Sequence, residues 1–454
     1  MIDAGLLDPL AQGGRALELT GDAAFLAAML DAELGLTRAL VDTGLAPDFM
    51  TAVCDGLAAP DLAAIAAESR AGGNPVIPLV RHLSAAAEEL RAGASDHLHV
   101  GATSQDILDT AAMIVARDVC GEVLAQLRRL GEELAVLADR HRATPMVGRT
   151  LGQQAAPTSF GLVAAGWLDG VVSAIATLAT VRAELPLQYG GAVGTGEALA
   201  AAARDRGGDA ESVLAVVGDR LGLRVPALSW HSGRAPVLGL ASALAQSVAA
   251  VGVIAVDVAL LARTEVAELS EGGTPGSGGS SAMPHKRNPV TAVLVVAAAR
   301  RTPQLLASLY GSALSEDQRP SGAWHAEWLP LRDLERAAVA AATATVDLVR
   351  GLEVHADRMA ANLELTAGLV MSERVSGVLA AAIGRSAAFE LVERASLDAV
   401  RGGRPLQASL AELLADQPPP VRAAAEDAFR PADPDSTAID RVIAAFTALL
   451  PEDS

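Results

Sequence analysis

The stretch 235–262, APVLGLASALAQSVAAVGVIAVDVALLA, bracketed by Arg234 and Arg263, restricts the fold of this chain more than any other. A helix here is apolar on every side, so it has to be covered all round. Its length alone would suit a membrane span. Gln246, Asp257 and the many Ala and Gly residues fit a buried core helix better. A core helix this long calls for a bundle shared between subunits. Composition argues the same way: with aromatics at 3% and hydrophobic residues at 51%, rich in Ala, Leu and Val, helix-on-helix packing is favoured over a β sandwich. The expectation is an all-α protein, and 454 residues give room for two or three domains.

Charge and cysteine usage narrow the function. A formal net charge of -19 argues against a nucleic-acid partner and against anionic membranes. It also means that an anionic substrate would need a local group of Arg and Lys. Cys54 and Cys120 form no CxxC, and the chain has no signal-like start, so a cytoplasmic location is expected, with both thiols as small core residues.

Helical periodicity marks short helices at 22–41 and 60–67. Another, containing Leu79, Val80 and Leu83, follows the Asn74-Pro75 break. These belong to an N-terminal helical domain, 1–102, followed by a central long-helix domain, 103–345, and a C-terminal helical domain, 346–454. Polar breaks interrupt the apolar runs. In HLHVGATSQDILDTA, from 97, Thr103 stands three residues before Asp106, a capping-box spacing that starts a long helix. Thr103 and Ser104 lie at its positive end, where amides and hydroxyls can hold a carboxylate; capping alone explains the spacing equally well. His97 and His99 lack a third ligand at a recognisable spacing, so no metal is expected, and His99 is read as satisfied or substrate-facing.

The second break, RTLGQQAAPTSFG at 149–161, reads as a loop with a helix starting at Pro157 and running to about Arg182, which places Arg149, Gln153 and Gln154 just before it. QYGGAVGTG at 188–196 lacks the strand and lysine of a phosphate loop, and its glycines let the chain pass close to a ligand or another helix. The fullest break is GGTPGSGGSSAMPHKRNP at 272–289. Its glycine-rich half suits a lid, its second half crowds Ser280, Ser281, His285, Lys286, Arg287 and Asn288 together, and Asn288-Pro289 can start the next helix. EDQRPSGAWHAEW at 316–328 is the last. A site built from helix termini fits these breaks, and no Ser/His/Asp elbow, zincin or CxxC motif competes with it.

GSSAMPHKRNP, HVGATSQD and RTLGQQAAPTSFG resemble the three signature regions of the fumarase/aspartase superfamily over nearly the whole chain. Within it, EDQRPSGAWHAEW, NLELTAGLV and QYGGAVGT are most similar to the cycloisomerases of 3-carboxy-cis,cis-muconate in protocatechuate catabolism. The resemblance implies three helical domains, a homotetramer whose central helices form one bundle, active sites built from three subunits, a di- or tricarboxylate substrate and no cofactor. It also implies that Ser280 transfers the proton, that Lys286 and Asn288 bind and polarise a carboxylate, and that His99, Thr103, Ser104, Thr150, Gln153 and Arg319 line the substrate site. Arg149 and Gln154 are further candidates there. Adenylosuccinate lyases carry histidines where Leu151 and Gln154 stand here. Gln154 offers no titrating proton, which suits a leaving group that departs as an anion. A lactonising cycloisomerase is therefore expected, with a nitrosuccinate lyase as the alternative and an adenylosuccinate- or argininosuccinate-type lyase behind both. Intact Ser280, Lys286 and Asn288 argue against an inactive structural relative.

Overall fold

The structure, a computed structural model, describes residues 6–12, 14–272, 279, 283, 286–429 and 436–450. Six long helices carry the architecture: α1 (Asp22–Asp42), α2 (Ser104–Arg140), α3 (Phe160–Ala183), α4 (Ala235–Leu261), α5 (Val290–Ser312) and α6 (Ala323–Arg350). Among the described residues, four short strands accompany them in two antiparallel pairs, β1 (Pro145–Thr150) with β2 (Gln153–Ser159) and β3 (Leu269–Glu271) with β4 (Leu352–Val354). The fold is helical, as the composition requires.

The chain divides into two compact units, each drawn from three stretches. One comprises Met1–Arg128, Ser173–Gly252 and Leu294–Thr345; the other comprises Arg129–Val172, Val253–Val293 and Val346–Ser454. Each boundary falls inside one of the helices α2 to α6. In the first unit, α1 packs on the helix Ala210–Leu221, where Gly35 leaves room for the Leu221 side chain. Cys54 and Cys120 are buried and unpaired, and burial pushes the Cys120 thiol up to about 12. In the second unit, Val375, Leu379, Leu391, Leu406 and Leu410 form the core of the C-terminal helices.

The apolar stretch at 235–262 is the single helix α4. It, α3 and α5 are each long and apolar enough to cross a membrane, by length and composition. Half of the most apolar window of α4 is buried within the chain, and its Asp257 accepts the Trp167 indole N–H at 2.8 Å. Val253, Val256 and Leu260 of α4, with Val290 and Val293 of α5, remain exposed.

Glu335 on α6 is fully buried, and both carboxylate oxygens lack a hydrogen-bond partner among the described residues. Burial pushes this carboxyl from an ordinary 4.5 up to about 8, and the Arg332 charge offsets only part of that. Between those two values the folded chain keeps a proton that the unfolded chain releases, so stability falls as pH rises from about 4.5 to about 8. Glu335→Gln removes that slope. Denaturant melts are expected to show the variant gaining roughly 3 kcal/mol on the wild type between pH 4.5 and pH 7. A difference that does not change with pH would clear Glu335 of this role.

Candidate active site

The first unit gathers His99, Thr103, Ser104 and Arg319. Ser104 opens α2, and Asp106, one turn in, fixes what surrounds it. Asp106 is fully buried and accepts from four donors: the amides of Thr103 (2.9 Å), Gly190 (2.7 Å) and Gly191 (2.9 Å), and His231 Nε2 (2.7 Å). Thr110, a turn further along, donates its hydroxyl to the Gln188 carbonyl at 3.0 Å and accepts the Gln188 amide at 2.9 Å. The QYGG segment is therefore laid along the start of α2. A Cβ on Gly190 would collide with Ser229, which is why a glycine stands there.

Arg319 reaches this helix end from the EDQRPSG segment. Its Nη1 donates to Thr103 Oγ1 at 3.0 Å and its Nε to Gln105 Oε1 at 3.3 Å. Both acceptors are uncharged, so the guanidinium brings a positive charge to a helix N-terminus. Together they suit an incoming carboxylate. His99 sits in the left-handed region at φ 54, with Nδ1 2.7 Å from the buried carboxylate of Glu33. Burial works against its charged form, but the hydrogen bond and charge of Glu33, with Asp106 nearby, outweigh it and hold the imidazole above its usual value. His99 is thus biased towards its charged form, which the Glu33 carboxylate pairs.

Below this end lies a second layer. Arg234 bridges Asp109, at 2.8 Å, and Glu327, and Trp324 Nε1 donates to Asp109 at 2.9 Å. Gln105 Nε2 ties the two layers by donating to the His231 carbonyl at 2.8 Å. Asp106, His231 and Arg234 drew no site role from the sequence. Asp106 was marked only by its capping-box spacing, and the partners that give these three residues their place lie 84 to 125 residues away.

In the second unit, Arg149, Thr150, Gln153 and Gln154 share a β-hairpin, where a loop running into a helix was expected from the sequence. The pair Thr150–Gln153 closes the two-residue turn Leu151-Gly152, both at positive φ, 51 and 79. Such a turn matches the twist of the strands. Pro157 lies in β2 opposite Val147, and α3 starts only at Phe160, capped by Ser159 Oγ accepting the Leu162 amide at 3.2 Å. Arg149 forms a two-pronged pair with the fully buried Glu268, at 2.9 and 2.7 Å, and Asn362 donates to the same carboxylate at 2.7 Å. The Arg149 charge is therefore matched from within the chain. Thr150 and Gln153 are exposed, and Gln154 Oε1 is buried without a partner among the described residues.

Ser280, Ser281 and His285 lie outside the described residues. Lys286 is exposed, and its amide donates to the Met283 carbonyl at 3.0 Å. Asn288 leads into α5, whose first amides, Thr291 and Ala292, donate to the Glu271 carboxylate at 2.9 and 3.3 Å. The positive end of α5 thus already holds a carboxylate of the chain itself.

The family model described as Lyase matches residues 75–303, half of the chain. The chain is 45% identical over 426 residues to a nitrosuccinate lyase of Streptomyces davaonensis, covering 93% of this chain and 89% of that one. It is 40% identical over 412 residues to a 3-carboxy-cis,cis-muconate cycloisomerase of Bradyrhizobium diazoefficiens, covering 89% of each. The crystal structure of the 3-carboxy-cis,cis-muconate lactonizing enzyme from Pseudomonas putida superposes with a TM-score of 0.87 at 35% identity, over 98% of this chain and 99% of that one. On this overlap the chain belongs to the Lyase family, within the fumarase/aspartase superfamily, as its signature stretches implied.

Proposed function

We propose that the protein makes or breaks a bond β to a substrate carboxylate, with a leaving group that departs as an anion. The observation that carries this is the hairpin tip: from Thr150 to Gln154 no side chain can give or take a proton near neutral pH. An amine leaving group would need such a proton, whereas a carboxylate or nitrite needs none.

The substrate we put first is 3-carboxy-cis,cis-muconate. A carboxylate oxygen of the folded substrate attacks the double bond and forms the C–O bond of a lactone. The π electrons move to the neighbouring carbon and into its carboxylate, and the Ser280 hydroxyl protonates that carbon. Lys286 and Asn288 stabilise the charge on the polarised carboxylate, and Lys286 with loop amides stabilises the serine oxyanion until solvent reprotonates it. Arg319, Thr103 and Ser104 take a second carboxylate with His99 lining the same end, while Thr150, Gln153 and Gln154 orient the substrate. The second reading, favoured by the relative at 45% identity, is nitrosuccinate cleavage: Ser280 as alkoxide removes the proton beside a carboxylate, the C–N bond breaks, and nitrite and fumarate leave. In both readings the protein works as a homotetramer with each site assembled from three copies. The exposed valines and leucine of α4 and α5 are the surface that such a bundle would cover.

Purified protein is offered each substrate in turn. Loss of diene absorbance with carboxymuconate supports the first reading. Nitrite release from nitrosuccinate, with carboxymuconate untouched, replaces it with the second. Activity only on an amine-releasing substrate overturns both.

A further inference from the structure

The first unit encloses a cavity of about 210 Å³ that takes no part in the proposed reaction. It lies among α1, α2, α4 and α6, with Phe25, Met29, Leu108 and Met113 among the side chains that make its walls mostly apolar. Trp328 and Arg332, one turn apart on α6, also line it. Trp328 Nε1 and Arg332 Nε are each buried N–H groups with no hydrogen-bond partner among the described residues. A buried donor left unpaired is costly, and native chains keep few of them. Two lining one apolar cavity call for an acceptor from outside the chain.

The charges around the cavity decide what kind of acceptor. Asp22, Asp109 and Glu327 line it against Arg234 and Arg332. Arg332 pairs with Asp22 at 2.5 Å, and Arg234 is shared between Asp109 and Glu327. Both cations are thus already paired, so a further carboxylate would enter an apolar space with no charge left to match it. A neutral oxygen meets no such penalty. The volume is ample, since a dry apolar cavity of about 150 Å³ is known to take benzene.

We propose that this cavity is a second ligand site, for a small uncharged aromatic or branched molecule that offers a carbonyl or ether-type oxygen to Trp328 and Arg332. Acetophenone is the probe, titrated calorimetrically into the full chain, with toluene and benzoate alongside. The wild type is expected to bind acetophenone at least about fivefold more tightly than toluene, which lacks the acceptor, and more tightly than benzoate, which carries a charge. Ala112→Phe, which fills the cavity, is expected to abolish binding. Trp328→Phe keeps the ring, removes the N–H, and is expected to weaken acetophenone about fivefold while leaving toluene unchanged. No binding by the wild type overturns the proposal, as does undiminished binding in Ala112→Phe or benzoate binding more tightly than acetophenone. If Ala112→Phe does not fold, Trp328→Phe decides alone, and equal acetophenone affinity in it and the wild type overturns the site.

Discussion

Replacing Ser280 by Ala is expected to lower turnover roughly a thousandfold or more while leaving the assembly state as it is in the wild type. In either proposed reaction the carbon that receives or loses the proton lies beside a carboxylate, and neither water nor a neutral amide exchanges a proton there at a useful rate. A free serine is a feeble base, so the proposed mechanism requires its oxyanion to be stabilised by Lys286 and other donors with water excluded. The control is Ser281→Ala, next in the chain, which is expected to retain most activity. Turnover under saturating substrate, with size-exclusion chromatography of each variant, checks both expectations. Near-normal turnover in Ser280→Ala removes the assignment, and a collapse confined to Ser281→Ala transfers it.

Asp106→Ala carries the largest expected cost in stability. The substitution leaves the amides of Thr103, Gly190 and Gly191 and the Nε2 of His231 without their acceptor, all at a fully buried position. Each buried group stripped of its partner costs about 1–3 kcal/mol, and the four share one site, so a total of about 3–5 kcal/mol is expected by denaturant unfolding. The comparison is Asp61→Ala, which removes an exposed acceptor from the Ala64 amide and is expected to cost about 1 kcal/mol. Losses of similar size in the two variants would show that Asp106 is an ordinary cap. The start of α2 that Asp106 holds is also where Thr103 meets Arg319, so catalytic efficiency is expected to fall along with stability.

The long helices were legible because their pattern is local: Asp22–Asp42 begins where the periodicity begins, and the Thr103-to-Asp106 spacing marks the start of Ser104–Arg140. Two elements of the site were not. The hairpin was hidden because QQAAPTS has little β-branched character and its Pro157 resembles the first residue of a helix, whereas the pairing with PMVGRT that overrides this is tertiary. The partners of Arg149 and Asp106 were hidden for another reason. Glu268 and His231 stand 119 and 125 residues away from them, and no local spacing reports such pairs. The chemistry expected of Ser280, Lys286 and Asn288 rests on the resemblance to a signature alone, and Ser280 lies outside the described residues.

The two ends of the 272–289 segment are stitched into the second unit. Upstream, β3 pairs with β4 and the Gly272 amide donates to the Gly351 carbonyl at 2.9 Å; downstream, Glu271 reaches across to the Thr291 and Ala292 amides. Glu271 is thus a clasp between the two ends: its backbone belongs to β3 and its side chain to the first turn of α5, so a slip in the β3–β4 register would be felt at the start of α5.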